Sequence, residues 1–217
     1  MSATLSKIHY WLYNKIQWFE GLEKEVIHWA EGFPEFTIDE WVDHMAEDFG
    51  QLTGGKPLEE IVDQNNIHGW LQSKIESAEL RQAYLVTRIL TVRGDTKGEL
   101  VGIFQEQGEK AAMAYPEKPN TPEGLYNAIN DFILEGMPCD NVSEITHKTD
   151  DFISWKTTEN LHAPHWEKVK GEVGNFYDLR EEWLKAFIKT LAPDFRYEKL
   201  SDGTHRIINH KKSEKEG

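Results

Sequence analysis

Ser143-Glu144-Ile145-Thr146-His147-Lys148-Thr149-Asp150-Asp151-Phe152-Ile153-Ser154-Trp155-Lys156-Thr157 is where the chain changes from a helical to an alternating pattern. Ser143, Ile145 and His147 alternate with Glu144 and Thr146; beyond Thr149-Asp150, Ile153, Trp155 and Thr157 alternate with Phe152, Ser154 and Lys156. A period of two belongs to a half-buried strand, so the stretch predicts a β-hairpin. Phe195 to Leu200 and His205 to Asn209, joined by Ser201-Asp202-Gly203-Thr204, predict a second one. Between them lie a helix opened by Leu161-His162-Ala163-Pro164-His165-Trp166 and another from Asn175 to Leu191, with Phe176, Leu179, Trp183, Phe187 and Leu191 on its buried side. The expected fold is α+β: a helical N-terminal half packed with a small antiparallel four-stranded sheet, ordered ββααββ.

Upstream the periodicity is helical. Leu5, Ile8, Leu12, Ile16, Phe19, Val26 and Ala30 predict a helix from Leu5 to Glu31. Thr37-Ile38-Asp39-Glu40 has the form of a capping box and opens a shorter helix to Phe49. After Thr53-Gly54-Gly55-Lys56-Pro57, one long helix is expected from Leu58 to Val92, and further helices from Gly94 to Ala114 and from Thr121-Pro122 to Gly136. Glycines 98, 102 and 108 weaken the first of these two unless a neighbour packs closely there. The boundaries drawn are a helical segment over 1–55, a ligand-binding or catalytic domain over 56–210 and a disordered tail over 211–217.

Two of these helices carry one pattern. Ile8-His9, Trp11-Leu12, Lys15-Ile16 and Glu20 recur as Ile67-His68, Trp70-Leu71, Lys74-Ile75 and Glu79. Such helices are expected to pack as an antiparallel or dimer-related pair, which makes the N-terminal helices the candidate homodimer surface. Within either helix the histidine and glutamate stand about 16 Å apart, too far for one ion.

Composition sets the outer bounds. With 217 residues, 39% of them hydrophobic, and 8 Trp, the chain is long enough to bury a full core. A net charge of -14 places the same sign on its surface as on nucleic acid or an anionic membrane, which excludes both as electrostatic partners. One cysteine, Cys139, allows no intrachain disulfide and no cysteine-rich metal knuckle. A cytoplasmic location is expected, since no apolar run has the length of a leader or a membrane span.

Arg180 projects into the apolar arc of the 175–191 helix between Phe176 and Leu184. A guanidinium there requires a protein carboxylate, a bound acid, or a path along the edge to water.

From Asp151 to Ile208 the chain resembles the C-terminal half of the L-2-amino-thiazoline-4-carboxylic acid hydrolase family and, more distantly, small ligand-binding 4-vinyl reductase-like domains. The shared outline is carried by Phe152 to Thr158, Asn160 to Trp166, Phe176 to Ile188, Phe195 to Leu200, Asp202-Gly203 and His205 to Ile208, about a quarter of the chain. Where that family tends to place cysteines, this chain has His162, Leu179-Arg180 and His205. The resemblance implies a hydrolase that opens a carbon–nitrogen bond of a small cyclic or amide-like acid. Here that activity is expected to proceed without a thiol.

The replacements suggest the chemistry. His162 and His165, flanking Ala163-Pro164, together with His205 form a candidate zinc or iron site with an open position to activate water. Glu181 and Glu182 are candidate ligands or general bases, and Arg180 a candidate anchor for a substrate carboxylate. A metal-free pocket with the histidines as acid–base groups is the comparable alternative. The competing function is a non-catalytic small-ligand or sensory module.

Overall fold

The structure, a computed structural model, describes residues 5–213. Met1–Thr4 and residues 214–217, the end of the expected tail, lie outside the described residues. The elements are α1 Lys7–Ala30, α2 Ile38–Asp48, α3 Leu58–Ile61, α4 Ile67–Val92, α5 Lys97–Ala114 and α6 Pro122–Asn130. They continue as β1 Ser143–Lys148, β2 Phe152–Thr157, α7 Ala163–Lys168, α8 Val173–Leu191, β3 Phe195–Lys199, β4 His205–Asn209 and α9 His210–Ser213. The class is α+β, as expected. The described chain forms two compact units. One contains the chain up to Gly98 with Ile133–Pro138 and Leu161–Val173; the other contains Glu99–Phe132, Cys139–Asn160 and the chain from Gly174.

The helical unit is built on α1 and α4. Its contacts pair His9 with His68 and Glu23 with Arg81, separations of 59 and 58 residues, so the two helices run parallel within one chain and meet through their repeated faces. This replaces the antiparallel or dimer-related arrangement expected from the repeat. Leu12, Ile16, Phe19, Val26 and Ala30 on α1, and Leu71, Ile75, Ala78, Leu85 and Ile89 on α4, are buried at alternating steps of three and four residues. That is the spacing of a coiled-coil seam. Glu23 and Gln82 occupy seam positions and are also buried. Glu23 accepts from Nε and Nη2 of Arg81, the closest contact being 2.6 Å, while Nη1 of Arg81 donates to the carbonyl of Gly50 at 2.8 Å. The Glu23–Arg81 pair fixes register, because a slip leaves both charges buried without partners.

The helix expected over 58–92 breaks at 62–66. Val62 is extended, the Asp63 carboxylate accepts from the Asn65 amide at 2.9 Å, and Asn66 caps α4 by accepting from Gly69 N at 3.1 Å. Asp and Asn offer the backbone alternatives to helical bonds, which is why the chain turns here. The shared glutamate of the repeat is used twice. Glu20 accepts from the amide and hydroxyl of Thr53, and Glu79 meets His162; each buried carboxylate holds a later segment against its own helix.

In the second unit the sheet is antiparallel in the order β1-β2-β4-β3, two hairpins joined through β2 and β4. Trp155, Tyr197, Ile153, Ile207 and Phe195 are buried on one face. The helix α6 packs on β2 and β4, and ends at Asn130 instead of near Gly136. Phe132, Trp183 and Phe187 form an aromatic cluster in which the Trp183 and Phe187 rings stack at 5.0 Å. Of the α5 glycines, only Gly108 is in close contact: a Cβ there would stand 2.5 Å from the Trp183 carbonyl oxygen, whereas Gly98 and Gly102 have open space among the described residues.

Candidate functional site

Alternation in β3 and β4 puts Tyr197 and His205 on the same face of the sheet, and the phenol oxygen lies 2.6 Å from Nδ1 of His205. The Trp155 ring stacks on that imidazole with centroids 5.5 Å apart and planes 15° apart. Burial pushes the His205 pKa down to about 4; the positive charges of Lys199 and Arg180 push the same way and Glu181 opposes them. Burial also raises the Tyr197 phenol above its ordinary value, with Glu181 adding to the rise and Arg180 offsetting it. Arg180 and Glu181, both expected at the site, thus act electrostatically on His205, also expected there, and on Tyr197, which sequence reasoning did not single out.

Arg180 lies over the Phe176 ring, 4.4 Å from its centroid. Glu181 pairs with Lys185 at 2.8 Å, and Glu182 is held by Lys185 at 2.7 Å and by the Gln105 side-chain amide at 2.8 Å. The opposite face of the sheet carries an open cavity of about 450 Å³ lined by residues including Thr146, His147, Ser154, Lys156, Thr204 and Arg206.

His162 and His165 belong to the helical unit, His205 to the other. His162 is 2% exposed. Its Nδ1 is 3.0 Å from the buried Glu79 carboxylate and its Nε2 is 3.1 Å from Glu135 on the 133–138 segment. Carboxylates only accept, so this chain of three groups holds a hydrogen on each ring nitrogen or on one carboxyl. Both nitrogens through which His162 was expected to ligate an ion therefore face glutamates. His165 is half-buried in α7, its amide donating to the His162 carbonyl at 3.1 Å. Among the described residues, no three or more His, Cys, Asp or Glu side chains are placed to hold a metal ion. Glu79 was visible in sequence only as part of the repeat, and Glu135 carried no signal.

Comparison of the chain with protein-family models, with curated proteins and with solved structures finds no match. Among the described residues no helix is long and apolar enough to cross a membrane.

Proposed function

We propose that this protein is a small-molecule enzyme that hydrolyses a carbon–nitrogen bond in a small cyclic or amide-like acid, with Tyr197, His205, Arg180 and Glu181 as its working groups. The observation that carries this is the 2.6 Å contact between the Tyr197 phenol and Nδ1 of His205, an imidazole whose pKa burial pushes down and on which Arg180 and Glu181 act. Perturbed titrating groups gathered with charged neighbours mark functional sites more often than chance placement does. With the phenol kept protonated and the imidazole neutral, Tyr197 O–H donates to Nδ1 and the ring hydrogen resides on Nε2. In this reading Nε2–H polarises the carbonyl or imine of the substrate, Arg180 anchors the substrate carboxylate through its planar fork, and Glu181 accepts the proton of the attacking water. The reaction class comes from the resemblance to the thiazoline-carboxylate hydrolases.

The decisive experiment is turnover of a panel of thiazoline carboxylates and small cyclic amides. The parent chain should open at least one of them. His205→Gln should lower kcat about 100-fold or more, the usual scale for a lost acid–base group, and Arg180→Met should mainly raise KM. Turnover that survives His205→Gln unchanged would overturn the proposal.

The cavity on the other face of the sheet favours a second reading, a ligand-binding module. Its size suits a small molecule, and Lys156 and Arg206 stand on its wall, paired with Asp202 and Glu198. Ligand-dependent thermal shifts removed by Arg206→Ala but retained in His205→Gln, without turnover in the parent, would select that reading.

A further inference from the structure

We propose that His9 and His68 form a two-histidine binding site for a divalent late transition-metal ion, zinc or copper, bridging the N-terminal ends of α1 and α4. It lies in the helical unit and is independent of the Tyr197–His205 pair.

The geometry comes from the repeat. Ile-His-x-Trp-Leu occurs once near the start of each helix, and parallel packing with an offset of 59 residues brings the two histidines face to face. Their Nε2 atoms are 3.1 Å apart, with ring centroids at 5.2 Å and planes at 63°. Two ring nitrogens at that distance are either a single hydrogen bond or a chelate without its ion. With metal–nitrogen bonds of about 2.05 Å, nitrogens 3.1 Å apart subtend about 100° at the metal, between the right angle of a square-planar or octahedral site and the tetrahedral angle. Late divalent ions with a preference for imidazole, copper(II) and zinc above all, fit this arrangement.

The surroundings hold one ring and leave the other accessible, and ligation costs one hydrogen bond, the one from the Ser6 amide. His9 is 9% exposed and fixed, its Nδ1 receiving the Ser6 amide at 3.1 Å with the Ser6 hydroxyl at 3.3 Å; His68 is exposed. One ligand is thus pre-oriented and the other is reached from solvent, which leaves the remaining coordination positions to water. A metal on Nε2 moves the His9 ring hydrogen to Nδ1, where it can no longer accept from the Ser6 amide and donates instead to the Ser6 hydroxyl. That hydroxyl then plays the orienting part that metal-bound histidines usually assign to an outer acceptor. Neither helix can make the site alone, because the histidine and glutamate of the repeat stand about 16 Å apart within each one, and Glu20 and Glu79 are engaged by Thr53 and His162.

The experiment uses the untagged full chain. Zinc titration followed calorimetrically should show one ion per chain, and zinc should raise the unfolding temperature of the parent. His68→Ala, a change at an exposed position, should leave the fold intact, weaken zinc binding at least tenfold and remove the thermal shift; His9→Gln should behave likewise. Copper(II) bound to the parent should give an electron paramagnetic resonance spectrum split by two imidazole nitrogens, reduced to one in His68→Ala. His28→Ala and His44→Ala, exposed histidines paired with Glu31 and Asp48, should change nothing. Zinc affinity in His68→Ala equal to that of the parent, no zinc uptake by the parent, or a copper spectrum with a single nitrogen would each overturn the site.

Discussion

Nδ1 of His162 lies 3.0 Å from Oε2 of Glu79, a contact between residues 83 apart in sequence. The Glu79 side chain is 3% exposed, and the imidazole connects it to Glu135, so one ring ties α7 and the 133–138 segment to α4. Removing the imidazole takes from the buried Glu79 carboxylate its contact with the ring and cuts its link to Glu135. His162→Ala should therefore lower unfolding free energy by about 3–5 kcal/mol, with His162→Gln losing less because it keeps a donor. Urea denaturation of the two variants checks this; equal midpoints for parent and His162→Ala would show that the cluster carries no such role.

Arg81 and Glu23 pose the complementary case. Their side chains are 3% and 1% exposed and meet at 2.6 Å in the α1–α4 seam. Arg81→Met alone strands the carboxylate and should cost about 3–5 kcal/mol, whereas Arg81→Met with Glu23→Leu should come close to the parent because neither charge then needs burial. The difference between single and double variants in denaturant midpoints measures the coupling.

His205 predicts a pH dependence with a definite sign. Its pKa falls from 6.5 to about 4 in the fold, so between these values the unfolded chain binds a proton that the folded chain does not. The stability from the neutral ring is complete above pH 6.5 and is lost as pH falls toward 4. Allowing for screening of the ring's exposed part, the loss should be about 1–2 kcal/mol. Melting curves across this window should be steeper for the parent than for His205→Gln; parallel curves would contradict the burial of a neutral imidazole.

The α5 glycines separate by environment. Gly102→Ala meets open space and should stabilise by about 0.5–1 kcal/mol through helix propensity, as should Gly98→Ala. Gly108→Ala would press a methyl to 2.5 Å from the backbone oxygen of Trp183 and should destabilise by about 1–3 kcal/mol. Thermal midpoints moving in the same direction for Gly102→Ala and Gly108→Ala would refute the distinction.

The sequence by itself determined what local backbone geometry controls. The two-residue alternation in Ser143–Thr157 and in Phe195–Asn209 located the two hairpins, although β1 is exposed along its whole length and is held by its pairing to β2. Helical spacing located α1, α2 and α8 within a few residues, because period and caps are properties of neighbours along the chain. It missed the break at 62–66, where Asp63 and Asn66 compete for backbone donors. The members of the site chosen for their chemistry, Arg180, Glu181 and His205, were legible in the sequence, but Tyr197 looked like an ordinary strand residue until pairing set it against His205. Only tertiary structure decided that α1 and α4 run parallel, that His9 faces His68, that Glu79 holds His162, and which glycine is crowded. Those outcomes depend on which surfaces meet across 58 to 83 residues of chain, and that choice is made by packing and by the cost of burying polar groups without partners, neither of which periodicity records.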